Sequence, residues 1–142
     1  AAEVMQEGLE EGYMEPTATN WEMTAGAWYQ ARELNRALDA YEKAGELSDS
    51  GKIDFQRASI MTAEQNWQGA LEAATRALEK GDLTQTQEGN ALLLVGMAHF
   101  NLNNLERAEE AFNRVANYGT LQAEAREWLN HIEQTRQRLA SR

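Results

Sequence analysis

At 142 residues, 42% of them apolar, the chain fits one domain with enough apolar side chains for a continuous core, which excludes a disordered sequence. A net charge of −10, with 11 acids against 3 bases in residues 1–50, argues against partners as anionic as nucleic acid or acidic lipid. The absence of cysteine excludes disulfides and thiolate metal sites, and the longest apolar stretch, residues 91–97, is far short of the roughly 20 needed to cross a bilayer.

A single proline (Pro16) and abundant Ala, Leu, Glu, Gln and Arg favour helix nearly throughout, so the chain reads as all-α. In chain order the spacing predicts helices over about 2–13, 18–31, 34–46, 51–64, 67–80, 89–102, 105–117 and 121–139. Thr17 or Thr19 is placed to cap the second, and Ser48, Asp49 or Ser50 the fourth. Gly12, Gly81 and Gly119 stand where helix C-termini favour a left-handed residue. Gly81 to Gly89 is polar and bracketed by glycines, as a lengthened loop would be. In the last helix Ala125, Trp128, Leu129 and Ile132 form one apolar stripe, followed by a polar, Arg-rich end suited to a terminal lid.

The helices carry a recurring pattern. Its fullest copy runs from Leu92, Val95, Gly96 and His99 through a polar corner at 101–104 to Ala108 and Phe112. Gly96 permits close helix approach, and Ala108 with Phe112 supplies a small-then-large pair on one face. Trp21, Ala25 and Trp28 followed by Ala37, Tyr41 and Ala44 form a second copy. A weaker one, lacking two large residues, runs through Asp54, Arg57, Ala58 and Met61 to Ala70, Ala74 and Ala77. The marker residues Ala37, Ala70 and Ala108 are 33 and 38 residues apart, and the extra residues fall in 81–89.

This pattern resembles the tetratricopeptide repeat, whose period is about 34 residues. The resemblance implies a right-handed α-α superhelix of paired antiparallel helices closed by a capping helix. The expected organisation is a single solenoid domain over 1–142: a second helix of a truncated repeat at 1–14, repeats at 18–47, 51–80 and 89–118, an inserted loop at 81–89 and a cap at 121–139. The first of these follows from the likeness of Glu7-Gly-Leu-Glu-Glu-Gly12 to Arg76-Ala-Leu-Glu-Lys-Gly81. It predicts a fragment of a longer solenoid, with earlier helices and any signal peptide or anchor upstream.

In that family the first helices line the concave face. The resemblance therefore places Glu22, Gly26, Tyr29 and Gln30, then Phe55, Ser59 and Thr62, then Leu93, Met97, Phe100 and Asn101 along a peptide-binding groove. The carboxylate clamp of well-known family members is absent, since only Lys52, Asn90 and Asn101 imitate part of it. A floor of Tyr29, Phe55, Leu93, Met97 and Phe100 fits an apolar or amphipathic segment instead, with packing between repeats as the competing role of the same residues.

Catalytic readings are weaker. His99 stands where the repeat wants an aromatic and reads as a packed, hydrogen-bonded ring, while His131 has no second histidine for a zinc motif. The run Gly45 to Lys52 misses a phosphate loop by one residue of spacing and by Ile53 in place of Ser or Thr. Adjacent acids such as Glu109 and Glu110 point about 100° apart on a helix and do not flank one bond. The sequence therefore predicts no catalytic residues, no metal and no cofactor.

The runs Asn20-Trp21-Glu22, Ala31-Arg32-Glu33, Ala44-Gly-Glu-Leu-Ser48, Ala77-Leu-Glu-Lys-Gly81 and Leu92-Leu-Leu-Val-Gly-Met97 resemble a bacterial subgroup. Its members accompany TonB, ExbB and ExbD type energy-transduction systems of Gram-negative bacteria. That resemblance implies a periplasmic scaffold binding components of such a complex. The alternative is self-association through the solenoid ends, where Val4, Met5 and Leu9 are expected to be partly uncovered.

Overall fold

The computed structural model describes residues 1–142. Eight α-helices account for most of the chain: α1 (Ala2–Glu11), α2 (Ala18–Gln30), α3 (Leu34–Leu47), α4 (Lys52–Ala63), α5 (Trp67–Lys80), α6 (Gln85–Asn101), α7 (Leu105–Val115) and α8 (Gln122–Ala140). A short 3-10 turn, Gly119–Leu121, precedes α8. No strand forms, and no helix is long and apolar enough to cross a membrane.

The pairs α2–α3, α4–α5 and α6–α7 pack as units, α5 packs on α6, and α8 lies against α7. The first helices α4 and α6 also touch, which puts first helices on the inner side of the stack. Three marker positions explain the pairing: Ala37, Ala70 and Ala108 are completely buried, so each lets a second helix approach its first at backbone distance. The stack is an α-α superhelix of paired antiparallel helices ended by α8 as a cap.

Each pair turns the same corner. Arg32, Gln65 and Asn103 adopt φ of 63°, 60° and 65°. The next residue in each case donates its backbone N–H to a carbonyl five residues back, Glu33 to Trp28, Asn66 to Met61 and Asn104 to His99, at 2.8–2.9 Å. Side chains then cap the second helices, Asn66 Oδ1 accepting from Gly69 N–H at 3.1 Å and Asn104 Oδ1 from Arg107 N–H at 3.4 Å. Thr17 caps α2 in the same manner, its Oγ1 accepting from Asn20 N–H at 3.1 Å.

Four expectations change. The expected loop over 81–89 is shorter, because Thr84 and Gln87 form a reciprocal capping box that starts α6 at Gln85. Gly89 lies inside α6, where a Cβ would come within 3.0 Å of the Tyr118 ring and of Leu121; it is a glycine of close approach and ends no loop. Gly12 and Gly81 do take positive φ, but Gly119 opens the 3-10 turn without it. Ser48 and Ser50 do not cap α4 as expected: Gly51 is its N-cap residue, and the two hydroxyls accept from Ser50 N–H and Lys52 N–H in the bend before it. At the N-terminal end Leu9 is buried with Ala2, Trp21 and Ala25, contrary to expectation, while Met5 is half-buried and Val4 is 72% exposed, as expected.

The weak middle repeat has a physical explanation. Asp54 and Arg57 occupy positions where the other repeats carry Trp21 or Leu92 and Thr24 or Val95. Asp54 is only 2% exposed, and its Oδ2 lies 2.8 Å from Lys80 Nζ at the end of α5. Lys80 Nζ also donates to the Gly45 carbonyl at 2.6 Å, tying the C-termini of α3 and α5 to the first turn of α4. Arg57 is buried and approaches Glu42 at 4.0 Å, its Nε without a partner. The missing large residues are replaced by a paired-charge seam between two helix pairs.

Candidate functional site

The inner face is built from the α2, α4 and α6 stripes, and the structure divides them. On α2, Tyr29 is 48% exposed and Gln30 is exposed, with Glu22 half-buried. On α4, Ser59 is exposed, and Phe55 and Thr62 are half-buried. The Ser59 and Thr62 hydroxyls donate to Phe55 and Ala58 carbonyls of their own helix at 3.0 and 2.8 Å, so each retains oxygen lone pairs to accept from a partner. Apart from Glu22 the stripe residues there are uncharged, with one accessible aromatic ring on α2 and a half-buried one on α4.

The α6 stripe is different. Leu93 is buried in one cluster with Leu92, Ala108, Phe112 and Ile132, and Met97 and Phe100 pack against that cluster. The Phe100 ring meets Trp128 edge-on at 5.4 Å and tilts against His131 at 4.9 Å. Here the competing role prevails: Leu93 is core, and Phe100 and Met97 serve mainly to seat the capping helix. Asn101 remains exposed, its Nδ2 donating to the Met97 carbonyl at 2.8 Å. The stripes lie on one side of three first helices, but the apolar floor narrows towards α8.

The largest cavity lies elsewhere. A groove of about 600 Å³ runs between the second helices α5 and α7, with α6 as its floor. Leu92, Val95 and Ala111 form its apolar base, Leu78 and Glu79 one wall, and Arg107, Glu110 and Arg114 the other, with His99 lining it as well. On α6 the Leu92–Val95–His99 row stands roughly 130° round the helix from Leu93–Met97–Phe100, so this groove opens on the other side of the solenoid. A second hollow continues it, sharing Leu92 and Arg114 and reaching Glu88 and Tyr118.

Sequence reasoning missed this groove because Leu92, Val95 and His99 read only as repeat core. The available signal was a histidine in an aromatic position, opposite Ala111, beside two arginines seven residues apart.

His99 packs as a half-buried ring but makes no side-chain hydrogen bond, contrary to the expectation. Burial first, and the nearby Arg107 second, lower its pKa from the ordinary 6.5, partly opposed by Glu110. Because the folded value is depressed, His99 contributes stability that is full above about 6.5 and is lost as pH falls through the lower folded value. The urea midpoint is expected to decline as pH falls below about 6.5 in the wild type and to decline less in His99→Gln. Equal slopes for the two proteins would show that His99 does not titrate differently on folding.

At the continuation of the groove, the Tyr118 hydroxyl donates to Glu88 Oε1, which together with burial raises the tyrosine pKa. No three His, Asp or Glu side chains are grouped as a metal site would need.

This architecture is that of a helix-repeat solenoid, and comparison with solved structures identifies the repeat. The chain is similar to YrrB, a tetratricopeptide protein described as having an unusual peptide-binding site, with a TM-score of 0.68 at 22% identity over 93% of this chain and 66% of that one. It is similar to the first tetratricopeptide domain of Spaghetti (RPAP3), solved with the HSP90 peptide SRMEEVD, with a TM-score of 0.68 at 21% identity over 84% of this chain and 92% of that one. MamA matches with a TM-score of 0.74 at 15% identity, over 94% of this chain and 70% of that one. No family model and no curated protein matches the sequence. The chain has the tetratricopeptide-repeat fold.

Proposed function

We propose that the chain is a non-catalytic scaffold that binds an extended or helical protein segment along the inner face of its first helices. The observation that carries this is the partly apolar strip on α2 and α4: Tyr29 nearly half exposed, Phe55 half-buried beside Ser59 and Thr62, with Glu22 its one named charge. Amphipathic rings supply contact area at low entropic loss, and flanking hydroxyls supply adaptable acceptors. The peptide recognition described for YrrB and for the Spaghetti domain supports the same use of this fold. Asn101, Met97 and Phe100 complete the strip at its α8 end with a smaller share of the contact.

The wording of the sequence supports a finer assignment, a periplasmic scaffold beside a TonB, ExbB and ExbD type complex. Cell fractionation of the producing bacterium and co-purification with ExbB and ExbD test it; a cytoplasmic protein that recovers neither would exclude it. Self-association through α1 is a second reading: Leu9 and Ala2 are covered, but Val4 is 72% exposed and Met5 only half-buried beside it.

With a partner segment in hand, Tyr29→Ala and Phe55→Ala are each expected to weaken binding by about tenfold while helicity is retained, as truncation of an aromatic anchor does. Titration calorimetry with circular dichroism on the same samples checks this. Unchanged affinity in both variants would remove the inner face as the binding site.

A further inference from the structure

The groove on the opposite side of the solenoid has a chemistry of its own. In a chain of net charge −10, its α7 wall carries Arg107 and Arg114, and neither guanidinium has a carboxylate within 4.0 Å or a side-chain hydrogen bond. The three ion pairs of the molecule are Arg57–Glu42, Lys80–Asp54 and Arg136–Glu109, so these two cations are uncommitted. Seven residues apart on α7, they are separated by about 10 Å along the helix, with Glu110 between them. The base beneath them, Leu92, Val95 and Ala111, is apolar.

We propose that this outer groove is a second docking surface, independent of the inner face, for an amphipathic helix of a partner protein. The helix lays apolar side chains on the half-buried Val95 and Leu78, over the buried Leu92 and Ala111, and sets two carboxylates, two turns apart, against Arg107 and Arg114. Glu110 between the arginines and Glu79 on the facing wall set the rest of the pattern. They repel a uniformly acidic segment and favour a basic residue midway between the two acids. The groove thus selects an acid–base–acid spacing over bulk negative charge. Helix-in-groove recognition requires an apolar trough with flanking charges, and this groove offers both.

The test uses designed 16-residue fluorescent peptides of high helix propensity, with leucines on one face. One carries Glu seven residues apart with Lys between, and the other has these charges reversed. Fluorescence anisotropy with the 142-residue chain is expected to show saturable binding of the first peptide, weakened in 0.5 M salt, and at least tenfold weaker binding of the second. Arg107→Glu with Arg114→Glu, both at exposed positions, should exchange the two preferences while circular dichroism is unchanged. Tyr29→Ala should alter neither, which separates this surface from the inner one. Absence of saturable binding, equal affinity for both peptides, or loss of binding in Tyr29→Ala with no response to the arginine reversals would each overturn the proposal.

Discussion

Phe112→Ala is expected to destabilise the chain by about 3–5 kcal/mol, because the ring is fully buried and holds two interfaces at once. One face stacks on Trp128 of α8, with ring centroids 5.2 Å apart and planes 7° from parallel. The ring edge fills the space left by Gly96 on α6, where an added Cβ would lie 2.6–2.8 Å from three ring carbons. With Trp128 behind it the ring has no direction in which to yield, so Gly96→Ala alone should cost about 1–3 kcal/mol by overpacking. The pair is coupled: Gly96→Ala with Phe112→Leu should be less destabilised than the sum of the single changes. Urea unfolding followed by circular dichroism measures the wild type, the three single variants (Phe112→Ala, Gly96→Ala and Phe112→Leu) and the double variant. Additive effects, or a Phe112→Ala loss under 1 kcal/mol, would contradict the packing described.

The second large effect is expected at the paired-charge seam. Lys80→Met leaves the Asp54 carboxylate, 2% exposed, without its cation, at a cost of about 3 kcal/mol. That is the lower end for a buried pair, as the Lys80 side chain keeps 22% of its surface in solvent. Asp54→Leu with Lys80→Met removes both charges and should recover much of the loss. The tolerance at this point is small: a Cβ on Gly45 would sit 2.8 Å from Asp54 Oδ1, and one on Gly51 would sit 2.2 Å from the Ala77 carbonyl oxygen. Thermal unfolding of the single and double variants decides the matter. A Lys80→Met protein as stable as the wild type would mean that the pair contributes nothing.

Much of the fold was legible because packing leaves period and size in the sequence. Ala37, Ala70 and Ala108 are small where two backbones meet, and Trp21, Trp28, Tyr41 and Phe112 are large where the space between helices must be filled. The corners were harder. Arg32, Gln65 and Asn103 adopt a left-handed conformation that sequence reasoning assigns to glycine, and the helix pair imposes it by burying the marker alanine five residues on. The seam was illegible for another reason: Asp54 and Lys80 are 26 residues apart, and no local pattern says that one charge will cover another.

On the inner stripe, the solvent access of Tyr29, Gln30 and Ser59 was legible in the sequence, and the burial of the α6 positions was not. Leu93, Met97 and Phe100 have the spacing of an inner stripe, yet whether such a stripe meets solvent depends on how α8 settles, and Trp128 and His131 close over Phe100. The outer groove had no motif because its walls come from two different helix pairs. Its arginines become a feature only when α5 and α7 stand apart.

The central claim is that the strip of Tyr29, Phe55, Ser59 and Thr62 on the inner face of α2 and α4 receives a protein segment. A photoreactive phenylalanine analogue at Ser59, with one at the exposed Asp39 on α3 as the control, outside both proposed surfaces, tests it most directly in the producing cell. The account predicts a crosslink from position 59 to one defined partner segment, lost on Tyr29→Ala and absent from position 39. Equal labelling from both positions, or labelling at 59 that Tyr29→Ala leaves unchanged, would contradict it.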